Sequence, residues 1–203
     1  MFQNVRADLR SARQMNAGQG WWNQHVRLLV QPGTIAVLNH RLCHWVVTLR
    51  LPVIKHLLLI PCYFIKCWAE LLTGVHISPR AEIGPGLVVH TTQAIFVGPT
   101  KIGPHCVLQT GVLIASGIPS IGKNVFFGAG AKVVEGAKIG SNVVVAPNSL
   151  VLTDVPDDTS VFGVPARIRL PRLASTWFVL GHPNSNGEGE AAKIAPPTVS
   201  ERL

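Results

Sequence analysis

Residues 121–145 read IGKNVFFGAGAKVVEGAKIGSNVVV, and an apolar side chain returns there at every sixth position. The spacing extends through residues 77–156, where ten of the twelve steps are six residues and two are seven. Helices repeat at 3.6 residues and strands at two, so neither explains a period of six. A hexapeptide period indicates a parallel β-helix, in which three short faces form a coil of about eighteen residues and stacked coils bury the recurring side chains. The thirteen positions are Ile77, Ile83, Val89, Ile95, Ile102, Leu108, Ile114, Ile121, Phe127, Val133, Ile139, Val145 and Val151. So many phased positions disfavour the alternative, a run of unrelated short strands.

Composition predicts a packed protein with a basic surface. Hydrophobic residues make up 47% of the 203 residues and charged residues 14%, which excludes a disordered chain. The net charge of +8 suits nucleic acid, an anionic membrane face or a phosphorylated cofactor. Because no run of Lys and Arg alternates with aromatic residues, we expect no nucleic-acid partner.

Cysteine usage and the N-terminus indicate the cytoplasm. Cys43, Cys62, Cys67 and Cys106 form no CxxC pair, so we expect buried thiols in a reducing compartment. The polar start of the chain does not resemble a secretory signal. We therefore predict a cytoplasmic protein, with peripheral attachment to the inner face of a membrane as an alternative.

The chain divides into three parts in sequence. Residues 1–74 are predicted to be helical, with helices over 3–16, 21–30 and 35–49 and a fourth that begins at Pro52 and is kinked or divided by Pro61. Residues 75–170 form the predicted β-helix domain, and residues 171–203 a C-terminal extension expected to be partly disordered. Residues 44–72 contain no uninterrupted apolar run long enough to span a bilayer. We expect this stretch to pack as a helical cap on the β-helix, with peripheral membrane contact as the alternative.

Four segments resemble serine O-acetyltransferase and related hexapeptide-repeat acyltransferases. They are Gly74-Val75-His76-Ile77-Ser78-Pro79, Ile83-Gly84-Pro85-Gly86, Gly128-Ala129-Gly130-Ala131-Lys132 and Gly163-Val164-Pro165-Ala166-Arg167. The upstream sequence His40-Arg41-Leu42-Cys43-His44-Trp45 is similar to that family's helical segment, so the resemblance covers roughly residues 5–170. It implies a left-handed parallel β-helix, a mainly β fold preceded by a short α-helical domain. It further implies a homotrimer, acetyl-CoA bound between subunits, and transfer of its acetyl group to L-serine in cysteine biosynthesis.

Acetyl transfer from a thioester to a hydroxyl needs a base, donors for the developing oxyanion and an aligning groove, but no metal. We predict His90 as the base, since alternation after Val89 places it on the outer surface, and His76 as a second catalytic candidate. In an ungapped comparison with the family, the catalytic His falls on Thr91, its partner Asp on His76, and a second His on Ile118. Coil stacking places His90 beside Gln109 and Thr91 beside Thr110, so Thr91 and Gln109 are predicted to bind substrate. Gln109 has a structural alternative as a polar ladder residue.

The glycine block is predicted to bind the cofactor. Small outward side chains at Gly128, Ala129, Gly130 and Ala131 would admit an extended pantetheine arm, and Lys132 and Arg167 could hold the phosphates of CoA. The alternative is that these glycines only make tight coil corners.

Three other functions remain open at this point. A sugar or polysaccharide precursor could be the acceptor. Thr91 and Ile118, in place of histidines, favour a catalytically inactive trimeric scaffold. A metal-dependent β-helix resembling the gamma-type carbonic anhydrases needs three convergent histidines, and His90 and His105 lack a third.

Overall fold

Helices come first in the chain and a coiled stack of short strands follows them. A computed structural model describes residues 2–15, 31–49, 52–134 and 136–169. The described helices are α1 (Phe2–Met15), α2 (Pro32–Thr48) and α3 (Pro52–Thr73). The predicted helix over residues 21–30 and the C-terminal extension from residue 171 lie outside the described residues.

The strands lie on three faces of the stack, and the hexapeptide prediction of a mainly β solenoid is confirmed. The first face orders β1 (Val75–Ile77), β4 (Ile95–Val97), β7 (Leu113–Ile114), β9 (Lys132–Val133) and β11 (Leu150–Val151). The second orders β3 (Val88–Val89), β6 (Val107–Leu108), β8 (Phe126–Phe127), β10 (Val144–Val145), β12 (Ser160–Phe162) and β13 (Arg167–Arg169). The third pairs β2 (Glu82–Ile83) with β5 (Lys101–Ile102) and continues as single bridges through Ile121, Ile139 and Val155. All of these pairs are parallel except β12 with β13.

The thirteen recurring apolar residues are all buried in one cluster that runs through the coils. One detail of the predicted phasing is wrong. Ile77 stacks on Val97, whereas Ile95 stacks on Val75. The corner before β4 is enlarged, and Gln93 and Ala94 adopt positive φ angles of 99° and 53° there. The extra residues move the repeat forward by two positions, and Ile95 stays buried because both ends of this three-residue strand face inward.

Helix α2 covers the first coil. Ala36 and Val37 join the solenoid core, and Gly33 lies so close to the carbonyl of Val89 that any side chain there would collide with it. The helix begins at Pro32, three residues earlier than predicted, because proline is pre-organised for the first helical position and its missing N–H is not needed there.

A buried ion pair fixes α1 and α2 to the first coil. The Asp8 carboxylate accepts hydrogen bonds from Nε (2.9 Å) and Nη2 (3.2 Å) of Arg41 and from the backbone N–H groups of Gly86 (2.7 Å) and Leu87 (3.0 Å). Arg41 also donates to the carbonyls of Ile83 and Gly84. Two helices and one coil therefore share a single network of charged and backbone groups.

His40 is buried beside this network. Among the described residues neither ring nitrogen has a hydrogen-bond partner. Burial, together with the neighbouring Arg41 and His44, lowers the pKa of His40 from 6.5 to about 3. The imidazole is therefore neutral in the folded protein.

Helix α3 packs on α2 and leaves its other side exposed. Cys43 and Val46 of α2 form a small cluster with Cys62, against which Leu58 and Leu59 pack. The helix continues through Pro61, so Pro61 does not divide it as one form of the prediction required. The expectation that residues 44–72 cap the solenoid holds for the α2 portion, but the outer side of α3 covers no coil. Of the four cysteines, Cys67 is exposed, which corrects the expectation that the thiols are buried.

Candidate functional site

Most of the predicted site residues lie along one edge of the solenoid. The chain turns from the second face to the first at residues 90–94, 109–112, 128–131 and 146–149. Residues 163–166 extend this edge by bonding to Leu150 before β13 returns to the second face, and we call these stacked segments the site edge. Neighbouring coils are about 4.8 Å apart, so His90 lies roughly 10 Å from Gly128 and roughly 20 Å from the last corner. The fold thus brings together residues that are up to about eighty positions apart in sequence.

His90 and Thr91 occupy the first corner. The predicted stacking is confirmed: His90 follows the Val89–Leu108 pair, and its N–H donates to the Leu108 carbonyl at 3.1 Å. The His90 side chain is exposed, as predicted, and borders a crevice between α1, α2 and β3. Within the described residues its imidazole has no hydrogen bond or ion pair, so nothing orients it as a base. The Thr91 hydroxyl oxygen accepts the N–H of Thr110 at 2.9 Å, which ties this corner to the next.

Gln109 acts as a ladder residue at the second corner. Its Oε1 accepts the N–H of Ala129 at 3.2 Å, one coil further on. This contact supports the structural alternative for Gln109. A contact with substrate would have to use its amide nitrogen.

His76 has the carboxylate partner that His90 lacks. Its Nδ1 lies 2.9 Å from Oε1 of Glu70, and the same oxygen lies 2.7 Å from Nζ of Lys66. Neither contact has hydrogen-bond alignment: Lys66 and Glu70 attract each other as opposite charges, whereas His76 adds a charge to this pair only when it is protonated. The ring stacks on Phe96 at 4.9 Å between centroids with 8° between planes, and 39% of the His76 side chain is exposed. Sequence reasoning missed Glu70 and Phe96. The signals were the position of Glu70 in the last turn of a helix that ends just before His76, and the outward middle position of Phe96 in β4.

An outward row on the first face connects His76 to a cation. Strand register places His76, Phe96, Leu113 and Lys132 at successive levels. Three steps of about 4.8 Å separate His76 from Lys132 by roughly 14 Å. The row has an imidazole at one end, an apolar middle and an exposed ammonium group at the other end.

The glycine block is a tight corner, and one predicted contact is wrong. Ala131 is fully buried and belongs to the core, because it is the last corner residue before β9 and faces inward. Its N–H donates to Gly128 and its carbonyl accepts from Leu113, so its backbone is not free for a ligand either. A side chain at Gly128 would meet the backbone of Pro147 at 2.6 Å, as the corner alternative requires. Ala129 and Gly130 remain partly exposed at the site edge.

The two predicted phosphate ligands lie near each other at the far end of the site edge. Lys132 pairs with Leu150, whose carbonyl accepts the N–H of Ala166, and Arg167 follows directly. Both cationic side chains are exposed. Two cations suit a ligand that carries more than one phosphate.

The other histidine-related positions contribute no site. Ile118 is buried in the core, and His105 is an exposed turn residue with a φ of 59°. No cluster of three or more His, Cys, Asp or Glu side chains that could hold a metal ion occurs in the described part of the chain.

Comparison with known proteins identifies the family. Residues 119–153 match the model for bacterial transferase hexapeptide (six repeats). The chain is 37% identical over 176 residues to serine acetyltransferase from Synechococcus elongatus, an alignment that covers 83% of this chain and 68% of the relative. The chain belongs to the serine acetyltransferase family.

Solved serine acetyltransferases share its architecture. The enzyme from Neisseria gonorrhoeae in complex with serine is 28% identical with a TM-score of 0.68, and the match covers 82% of this chain and 68% of that one. A serine acetyltransferase in complex with CoA is 25% identical with a TM-score of 0.66, over 82% of this chain and 68% of that one. The family resemblance predicted from the sequence is confirmed for the helices and the coils together.

Proposed function

We propose that this protein is an acetyl-CoA-dependent O-acetyltransferase that acylates the hydroxyl of L-serine or a similar small acceptor. The observation that carries the proposal is the 37% identity to a serine acetyltransferase over helices and coils together. Hexapeptide coils alone are common to many acyltransferases, whereas their combination with this helical segment is specific. Related structures that hold serine and CoA support both substrates.

We assign the base to His76. The Glu70 carboxylate lies 2.9 Å from Nδ1, and a small rotation that aligns Nδ1–H with it would favour the tautomer with a proton on Nδ1 and leave Nε2 as the proton acceptor. Nε2 takes the acceptor's hydroxyl proton as the oxygen bonds to the acetyl carbon. The carbon–sulfur bond then breaks, and the CoA thiolate receives the proton from the imidazolium. Such a base contributes about 10²–10⁴-fold to the rate.

The donor would lie along the outward row and the site edge. Phe96 and Leu113 offer apolar contact to the pantetheine arm between His76 and Lys132. Lys132 and Arg167 supply positive charge for the phosphates, and Ala129 and Gly130 allow close approach of the arm. The acceptor would enter near Glu70 and His76.

A specific observation favours a second function, a CoA-binding scaffold without catalysis. At the position of the family's catalytic His, Thr91 is engaged by the next coil, and Ile118 is buried in the core. The residue types expected for a serine acetyltransferase at these positions are therefore absent. A sugar acceptor would be an alternative substrate for the same transferase, and the experiment below tests it together with serine.

The test is CoA release from acetyl-CoA by the full chain, with L-serine and with a panel of sugars as acceptors. The variants are His76→Asn, Glu70→Gln and His90→Asn, with His105→Asn as the matched control because Asn tolerates its positive φ. We expect serine-dependent release that falls at least 100-fold in His76→Asn, falls less in Glu70→Gln, and stays within threefold in the other two. If Glu70 orients His76, the pH–rate profile should shift in Glu70→Gln, whereas a purely structural role of Glu70 would leave the profile in place.

Each other outcome assigns a different function. Loss of release in His90→Asn alone would move the base to His90. Release with a sugar but not with serine would retain the transferase and change its acceptor. Saturable CoA binding without turnover supports the scaffold, and Thr91→His combined with His76→Asp then tests whether family residue types restore release.

We also infer a homotrimer with the donor groove between subunits, in a cytoplasmic step that leads toward cysteine. Membership in a hexapeptide-repeat family supports an oligomer. Three chains of 21.9 kDa give about 66 kDa, and light scattering on the purified protein measures this mass. A monomer at micromolar concentration would contradict the shared groove.

A further inference from the structure

Helix α3 carries its charges on the side that faces the protein and its apolar residues on the side that faces outward. Lys66 and Glu70 are partly buried and paired, and Lys55 is half-buried. At 100° per residue, the exposed positions cover an arc of about 200° that contains no Asp, Glu, Lys or Arg. We call this surface the apolar arc; its large members are Val53, Ile54, Leu57, Ile60, Tyr63, Phe64, Ile65, Trp68, Leu71 and Leu72, each at least 46% exposed.

The arc runs the whole length of a helix that is held flat on the protein. Twenty-two residues extend about 33 Å. By length and composition Val53–Thr73 could cross a membrane, with a mean hydropathy of 1.2, which corrects the expectation that this stretch is too short to span a bilayer; 17% of its most apolar part is buried in the protein. Its opposite side packs on α2 through Cys62, and Glu70 contacts His76 at the start of the solenoid. A crossing orientation would break these contacts, whereas an orientation parallel to a bilayer keeps them.

The same part of the chain carries most of the net positive charge. Residues 1–74 contain eight Lys and Arg against two Asp and Glu, a net +6 of the total +8. Both acids are already paired, Asp8 with Arg41 and Glu70 with Lys66. The exposed cations of α1, at positions 6, 10 and 13, therefore have no acid of this segment left to neutralise them.

We propose that the apolar arc lies in the plane of an anionic phospholipid bilayer and holds the protein at its surface. An amphipathic helix of this kind binds mainly through its buried apolar area, and the cations elsewhere in this segment add an attraction to anionic lipids that falls off within a Debye length. Trp68 and Tyr63 are residue types that favour the interface between headgroups and acyl chains. This goes beyond the proposed acetyl transfer and does not depend on it.

A lipid surface fits these observations better than a second copy of the chain. Protein interfaces form about one hydrogen bond per 100–200 Å², whereas the polar side-chain groups of the arc are limited to those of His56, Tyr63 and Trp68 and the weakly polar thiol of Cys67. Two copies joined through this face would also bring two segments of net +6 together, and like charges oppose that contact. Fluid acyl chains adapt to a convex arc, and they can enter an apolar groove of about 380 Å³ that Val47, Ile60 and Phe64 help to line between α2 and α3.

The test is co-sedimentation of the full chain with vesicles of phosphatidylcholine alone or with 30% phosphatidylglycerol. We expect at least tenfold stronger binding to the anionic vesicles, weakened by salt. Leu57→Glu with Phe64→Glu should lower binding at least tenfold. Leu152→Glu with Ile168→Glu is the matched control because it adds the same two charges at exposed apolar sites on the solenoid. Circular dichroism and thermal unfolding check that each variant remains folded.

A second readout leaves all the large apolar residues of the arc unchanged. Cys67 is exposed while the other three cysteines are buried, so it accepts an environment-sensitive fluorophore selectively. We expect a blue shift of its emission when anionic vesicles are added. Absence of vesicle binding by the unmodified protein, or equal binding by the double glutamate variant, would overturn the proposal. If the unmodified protein binds no vesicles and its mass by light scattering is higher than that of the double glutamate variant, the arc contacts a second copy of the chain and not a bilayer.

Discussion

Replacement of Asp8 by alanine should destabilise the protein by about 4 kcal/mol. The substitution removes a carboxylate that is 4% exposed, and it leaves the Arg41 guanidinium buried without its counter-charge. Breaking one side of a buried ion pair costs about 3–5 kcal/mol. Arg41 keeps its bonds to the carbonyls of Ile83 and Gly84, which lowers the loss, while the N–H groups of Gly86 and Leu87 lose their acceptor, which raises it.

Equilibrium urea unfolding at a fixed protein concentration, followed by circular dichroism, measures this free energy of unfolding. The matched control is Glu82→Ala, whose partner Lys101 lies 3.2 Å away but whose pair is 62–69% exposed, so we expect a change of at most about 0.5 kcal/mol. Asp8→Ala combined with Arg41→Met should recover part of the loss, because it removes the unpaired charge as well. If Asp8→Ala changed stability by less than 1 kcal/mol, the ion pair would not be what holds α1 and α2 on the first coil.

Three further predictions concern pH, coil stacking and donor binding. Because burial lowers the pKa of His40 to about 3, the unfolded chain binds more protons between pH 6.5 and pH 3, and stability falls as the pH is lowered through that range. Between pH 7 and pH 5 the contribution is about 2 kcal/mol, and chemical denaturation at the two pH values should show it in the native protein but not in His40→Leu. Gly122→Ala should cost about 1–3 kcal/mol in the same unfolding assay, since its Cβ would lie 2.5 Å from the backbone of Gly140; a loss under 0.5 kcal/mol would mean that the coils separate freely. Lys132→Glu should raise the KM for acetyl-CoA about tenfold while Lys123→Glu, on another edge, leaves it unchanged, and equal effects would indicate a diffuse charge effect.

The coils could be predicted from sequence because their signal is local and repeated. Each of the thirteen apolar residues indicates a buried position independently, so the repeat remains recognisable even if one position is assigned wrongly. The enlarged corner before β4 could not be predicted, because Ile95 and Val97 are both apolar and either one fits the repeat. Only the observed pairing with Val75 and Ile77 distinguishes them.

The charged contacts could not be predicted in the same way. Asp8 and Arg41 are 33 residues apart, and no periodicity connects an isolated carboxylate to an isolated guanidinium. His76 was identified as a candidate from the family motif, but its partner Glu70 belongs to a helix whose orientation depends on packing against α2. The side of α3 that faces outward was likewise set by this packing, since the helix is apolar nearly all round.

The two ends of the solenoid differ from its middle in a way that fixes its length. Parallel coils expose unpaired backbone at both ends, and such ends can in principle add further coils from other molecules without limit. Here α2 covers the first coil, and β13 reverses direction against β12 after the last. Coil addition is thereby hindered at the first coil and on the second face of the last coil, while the interior stays modular. Val133 and Val151 occupy equivalent places eighteen residues apart, so a whole coil could be inserted between them and lengthen the prism without disturbing either end.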